Sequence, residues 1–241
     1  MPCFKARHVA ALLGALLIAN VATAKDLPSI STVGVVSDVG DKVHFRHIGF
    51  TAFTNANVVI DVPDWKIDAY VTGLIETALK ERYTISTVNF PRGGIAPDLS
   101  PSLFSSPSPE DNMRAKAKPA DGQPVDAYIV VWPRRNEVYP TNQQVEGIGI
   151  LTQGERARLF TALVVTLLDG RTFEEIDNCW ARVRPVSMWE PDGSYMNEAN
   201  DLFAENYESM TPDQRQKLEQ GLKSMIGDGL AYCMRDLKLL K

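Results

Sequence analysis

Leu159-Phe160-Thr161-Ala162-Leu163-Val164-Val165-Thr166-Leu167-Leu168 is apolar on both of the faces that alternate along an extended chain. A strand with one wet face alternates apolar and polar residues, whereas one covered on both faces reads as a near-continuous apolar run. The segment therefore belongs in the middle of a sheet, with protein above and below it. It is too short to cross a bilayer as a helix, which takes about 20 residues. Asp169-Gly170 follows directly and is the strongest hairpin signal in the chain. A return strand is expected from about Thr172 to Val183.

Upstream, Ala127 to Trp132 supplies another short apolar run. Thr32 to Val36 and Lys42 to Ile48 read as strands, and Val39-Gly40-Asp41 between them has turn chemistry, so a hairpin is expected. Val58 to Val62 is a third β-branched run. Pro63 and Asp64 announce a helix with Asp64 as its N-cap. Ile67, Tyr70, Val71, Leu74, Ile75, Ala78 and Leu79 recur at helical spacing, with Lys66, Asp68, Glu76, Lys80 and Glu81 on the other side. Tyr83 to Phe90 alternates as a strand leaving that helix.

Residues 91–124 hold seven of the fifteen prolines and a cluster of serines, so a long loop is expected there. Only Asp111 to Lys118 has the makings of two helical turns. Near the C-terminus, Thr211-Pro212-Asp213-Gln214 combines an N-cap, a first-turn proline and a capping-box partner. Leu218, Leu222, Met225, Ile226, Leu230, Cys233 and Leu237 then mark one face of a closing helix. The expected fold class is α+β: a single mixed, mostly antiparallel β-sheet with two long helices packed on one face. Residues 25–241 are expected to form one domain.

The N-terminus reads as an address. Lys5, Arg7 and His8 precede an apolar run from Val9 to Val21, and Ala22-Thr23-Ala24 places small residues where a signal peptidase cuts. Residues 1–24 are thus expected to be a cleaved signal peptide, which makes the mature chain periplasmic or secreted. Cys3 precedes the apolar run and is not placed to be lipidated. The whole chain of 241 residues carries a net charge of -5. Losing Lys5 and Arg7 leaves 23 basic against 30 acidic side chains, a net charge of -7. That balance argues against nucleic acid as a partner, and no stable membrane insertion is expected after cleavage.

Two cysteines remain in the mature chain, Cys179 and Cys233. An oxidising compartment favours a disulfide between them, tying the last helix to a strand. Two buried free thiols are the alternative. Nothing resembles a Cys-x-x-Cys redox motif. The mature chain has two histidines, His44 and His47. Three residues apart on a strand, they point to opposite faces and cannot share a metal without a bulge. Gly147-Ile148-Gly149-Ile150 lacks the third glycine and the Lys-Ser/Thr of a phosphate cradle, and reads as a hairpin or bulge where backbones approach closely. No cofactor motif is present. Arg134, Arg135, Tyr139 and Asn142 form a polar stretch that is either a recognition loop or a solvated connection. Trp189 and Tyr195 lie in a second loop, either anchoring a partner or folding back on the core.

One pattern joins several of these segments. An amphipathic helix ends at Lys80-Glu81-Arg82-Tyr83 with a strand directly after it, and an aliphatic strand beginning at Val164 runs into Asp169-Gly170-Arg171-Thr172, a return strand and a closing helix. The arrangement resembles the small module of exported bacterial envelope proteins similar to the TolB N-terminal domain and the CsgG-like and penicillin-binding-protein-activator lipoproteins. The resemblance covers most of residues 30–238, without the lipidated cysteine of the lipoprotein members. It implies a non-enzymatic accessory or binding protein of the bacterial cell envelope, whose partner is another envelope protein or a cell-wall component. Two alternatives stand beside it: a periplasmic hydrolase recruiting His44 or His47, and a structural envelope protein without a dedicated ligand.

Overall fold

The computed structural model describes residues 29–97, 107–138, 143–182, 195–204 and 206–240. The expected signal peptide at 1–24 lies outside them. In chain order the first elements are β1 (Thr32–Ser37), β2 (Lys42–Ile48), β3 (Ala56–Asp61), α1 (Ile67–Leu79), β4 (Thr84–Ser86) and β5 (Val88–Asn89). Next come α2 (Pro109–Lys116), β6 (Lys118–Pro119), β7 (Ala127–Pro133), β8 (Arg135–Val138) and β9 (Gln143–Gln153). The last are β10 (Arg156–Asp169), β11 (Glu175–Trp180), β12 (Tyr195–Glu198) and α3 (Pro212–Asp236).

The two-sided apolar run lies within β10, which is central and long enough to serve two half-sheets. Its C-terminal half pairs with β7 and β11, and its N-terminal half pairs with β9 and β12. Carbonyls six residues apart, at Ala157 and Leu163, accept from Ala199 and Ala181, so β12 and β11 share one edge of β10. The Ala162 carbonyl accepts from Arg134 on the opposite edge, where β7 passes to β9. One half-sheet thus runs β4-β1-β7-β10-β11 and the other β3-β2-β9-β10-β12. Three pairings are parallel (β1 with β4, β1 with β7, β2 with β9), and the others among the described residues are antiparallel.

The hairpin expected between β1 and β2 does not form. β1 pairs with β4 and β7, and β2 pairs with β3 and β9, so the two consecutive strands lie in different half-sheets. The connection is held as a crossover by its own acids. Asp38 accepts from the backbone N–H groups of Gly93, Ile95 and Ala96 at 2.6–2.7 Å. Asp41 accepts from Ile67 N–H at 2.6 Å. That contact caps α1 from a distance, because the chain before the helix makes a 3₁₀ turn at Pro63–Trp65 and Lys66 takes the N-cap position with φ 49°. The expected cap at Asp64 is therefore not realised.

α1 and α3 pack on one face of the sheet, over a core that includes Val33, Phe45, Ile129, Ile150, Leu163 and Leu167. Tyr70 Oη on α1 donates to the Lys223 carbonyl on α3 at 3.0 Å. α3 begins with the capping box that its sequence specifies, Thr211 and Gln214 exchanging both hydrogen bonds. A third helix, α2, covers the opposite face. There Ile95, Met113 and Ala117 pack with Val36, Tyr128, Val130 and Leu168. The described parts of the proline-rich stretch are thus anchored, since its few apolar residues fall where β10 and β7 need cover. Residues 98–106 lie outside the described set.

Candidate cleft between the first helix and the strand after it

A cleft of about 430 Å³ opens beside the C-terminal end of β1. Ser37 lies at its floor; Asp68, Ala69, Thr72, Gly73 and Glu76 of α1 form one wall; Val88, Asn89, Phe90 and Arg92 form the other. Carboxyl ends of parallel strands are recurrent ligand positions, because helix ends and connecting loops converge there. The volume lies in the range that takes a small molecule or a few residues of peptide. The lining mixes an aromatic ring, neutral hydrogen-bonding groups, one exposed cation (Arg92) and the Glu76 carboxylate.

Asp68 sets the geometry. It is 6% exposed, and its Oδ1 accepts from Ser37 Oγ at 2.7 Å, Val39 N–H at 2.9 Å and Gly40 N–H at 3.2 Å. Burial raises its pKa, the Asp38 and Asp41 charges add to that, and the bonds from Ser37 and Gly40 oppose it. A carboxyl whose pKa is higher folded than unfolded binds more protons in the folded state. Its contribution to stability is therefore greatest at low pH and is lost as pH rises from the unfolded value through the folded one. Asp68→Asn keeps an Oδ1 acceptor for the three donors and removes the charge. The melting temperature of the Asn variant relative to wild type is expected to rise as pH goes from 3 to 7. A relative fall over that range would show that the ionised carboxylate stabilises the fold.

Asp68 stands three and seven residues before Val71 and Ile75, on the stripe that α1 buries. The expectation that it sits on the solvated side is corrected. An acid in register with Val71 and Ile75 is the signal in the sequence that could have pointed to this cleft, and the reading of the helix missed it. Nothing local linked Asp68 to Ser37 on β1 or to Arg92 beyond β5, which line the same cleft.

Of the expected partner-binding residues, Arg134, Arg135 and Tyr195 fall among the described residues. The Arg134 guanidinium carbon lies 3.5 Å from the centre of the Trp180 ring, a cation–π contact joining the β7–β8 junction to the end of β11. Arg135 pairs with Glu146 at 2.9 Å, across the β8–β9 ladder. Both cations are thus engaged within the fold. Tyr195 begins β12, with its backbone opposite Thr161. Tyr139, Asn142 and Trp189 lie outside the described residues. Cys179 and Cys233 are disulfide-bonded, with Cα atoms 5.5 Å apart.

The histidines lie on different faces of β2. His44 stands beside Gly147. Burial lowers its pKa, against the opposing pull of Glu146. His47 Nδ1 is 2.9 Å from Thr152 Oγ1. Among the described residues, no three His, Cys, Asp or Glu side chains converge as a metal-holding group, and no helix is long and apolar enough to cross a membrane.

No protein-family model matches the chain. No curated protein matches it either. Among solved structures, a crystal structure of a Xanthomonas campestris protein from the family DUF330 aligns over 88% of this chain and 89% of its own, with 10% identity and a TM-score of 0.36. At that score the likeness bears on neither ligand nor activity.

Proposed function

We propose that the chain is a non-enzymatic accessory protein of the bacterial envelope, acting in the periplasm after its leader is removed. In this reading the cleft between α1 and β5 receives a short segment of another envelope protein or a cell-wall peptide. The observation that carries it is how two buried carboxylates are used, Asp68 in the cleft wall and Asp38 next to Ser37. Asp38 and Asp68 each accept three hydrogen bonds from surrounding backbone and Ser37. Groups used this way hold walls in place, and a rigid wall with mixed lining suits binding. The disulfide and the signal-like N-terminus are compatible with an oxidising compartment. The likeness to TolB-type and CsgG-type modules points the same way from the sequence.

The test is in vivo crosslinking of the envelope followed by pull-down, with Arg92→Glu beside wild type. Arg92 is 70% exposed at its side chain and 3.7 Å from Asp41. Its reversal should lower the melting temperature by no more than about 2–4 °C, since an exposed pair contributes under about 1 kcal/mol. Wild type is expected to recover one reproducible envelope partner, and the variant to recover much less of it. Recovery of no partner from wild type, or equal recovery with the variant, would sink the proposal.

A further inference from the structure

The sequence from Ile48 to Ile60 contains no charged residue, and in the fold it forms the tip and outer strand of the β2–β3 hairpin. β3 is the terminal strand of its half-sheet and pairs only with β2 among the described residues. Val58 and Val59, which point to opposite faces, are 45% and 46% exposed. At the tip, Phe50 and Phe53 stand fully in solvent, at 107% and 98%. Edge strands are ordinarily protected by lysine, proline or a bulge. β3 has no lysine or proline, and its register with β2 runs unbroken from Lys42–Asp61 to His47–Ala56.

The hydrogen-bond phase shows which groups the open edge offers. Val62 N–H donates to the Asp41 carbonyl, so by alternation along an antiparallel ladder Ile60, Val58 and Ala56 turn their backbone groups toward β2. Asn57, Val59 and Asp61 then present theirs outward. We infer that this edge is where a second copy of the chain docks, β3 pairing antiparallel with the other copy's β3 about a two-fold axis through Val59. That register places the three outward residues opposite outward residues. It sets Val58 against Ile60 in the close, non-hydrogen-bonded positions and the Asn57 amide against the Asp61 carboxylate, twice over. The only charge of each strand thus meets a neutral donor-bearing group instead of its own kind. The same register carries the Phe50–Phe53 tip of each copy past the strand pairing and onto the Pro63–Trp65 turn of the other. An isologous contact of this kind closes at two copies.

Self-complementarity favours this occupant over a lipid surface, since the chain is net acidic and an anionic membrane repels it. The test is sedimentation velocity of the full chain, expressed for export and purified without reductant, over a range of concentrations. Wild type is expected to reach twice the monomer mass. Val59→Lys is expected to stay at monomer mass with an unchanged circular dichroism spectrum. Asn57→Asp faces a carboxylate with a carboxylate and should weaken the dimer, while Asn57→Asp combined with Asp61→Asn exchanges the pair and should restore it. A wild type that is monomeric at every concentration overturns the inference, as does dimerisation unaffected by Val59→Lys or unrestored by the exchange. A monomeric wild type that co-sediments with phosphatidylcholine vesicles, and loses this in Val59→Lys, overturns it in favour of a lipid contact.

Discussion

Replacing Cys179 and Cys233 together with alanine is expected to lower the unfolding free energy by about 4 kcal/mol, and the melting temperature by roughly 10 °C. The bond joins β11 to α3 across a sequence separation of 54. Opening it returns the freedom of a long loop to the unfolded chain, the main origin of the stabilisation in the chain-entropy account. Both side chains are buried, 3% and 0% exposed, in the core beneath α3. Calorimetry of the double variant beside wild type measures the effect. Thiol titration of the denatured exported chain should read zero before reductant and two after. Equal melting temperatures with and without reductant would show that packing alone holds α3 on the sheet.

The second large effect is expected at Gly149. A Cβ there would lie 2.0 Å from the His44 carbonyl oxygen and 2.7 Å from Phe160 Cζ. The contact falls where β2 and β9 pair in parallel, His44 beside Gly149, and this is the seam joining the β2–β3 hairpin to the rest of the sheet. Gly149→Ala must push β2 away or displace the Phe160 ring, which is fully buried. A loss on the order of 3 kcal/mol is expected in urea unfolding. Gly73→Ala is the control. It lies inside α1 with nothing within 4 Å of an added Cβ, and should stabilise by about 0.5–1 kcal/mol. Equal effects at the two positions would mean that the Gly149 seam is loose.

The close approach at Gly149 is what the sequence reading of Gly147-Ile148-Gly149-Ile150 anticipated, and Gly147 at φ 65° lies within β9 where its antiparallel partner changes from β8 to β10. Other local signals carried similar weight. The capping box of α3 formed as written because its four residues interact with one another. The Asp169-Gly170 turn formed because Asp169 accepts from Arg171 and Thr172 within it. Misreadings arose where partners lie far apart in the chain. β1 was paired with β2 on the strength of turn residues, but Val33 lies beside Ala127 and Phe45 beside Ile150. Nor does the local sequence around Arg134 and Arg135 show that Trp180 and Glu146 meet these two cations.

The amino-acid order by itself determined the class of the fold, the central strand, both long helices and the cysteine pairing. Each follows from a periodicity, a cap or a scarcity of alternatives. Only the folded chain decided which strands are neighbours, that one long strand serves two half-sheets, and that Ser37, Asp68 and Arg92 surround a cleft. Those outcomes depend on contacts between segments dozens of residues apart, whose competing pairings are nearly equal in local preference and are separated only by packing the whole core at once.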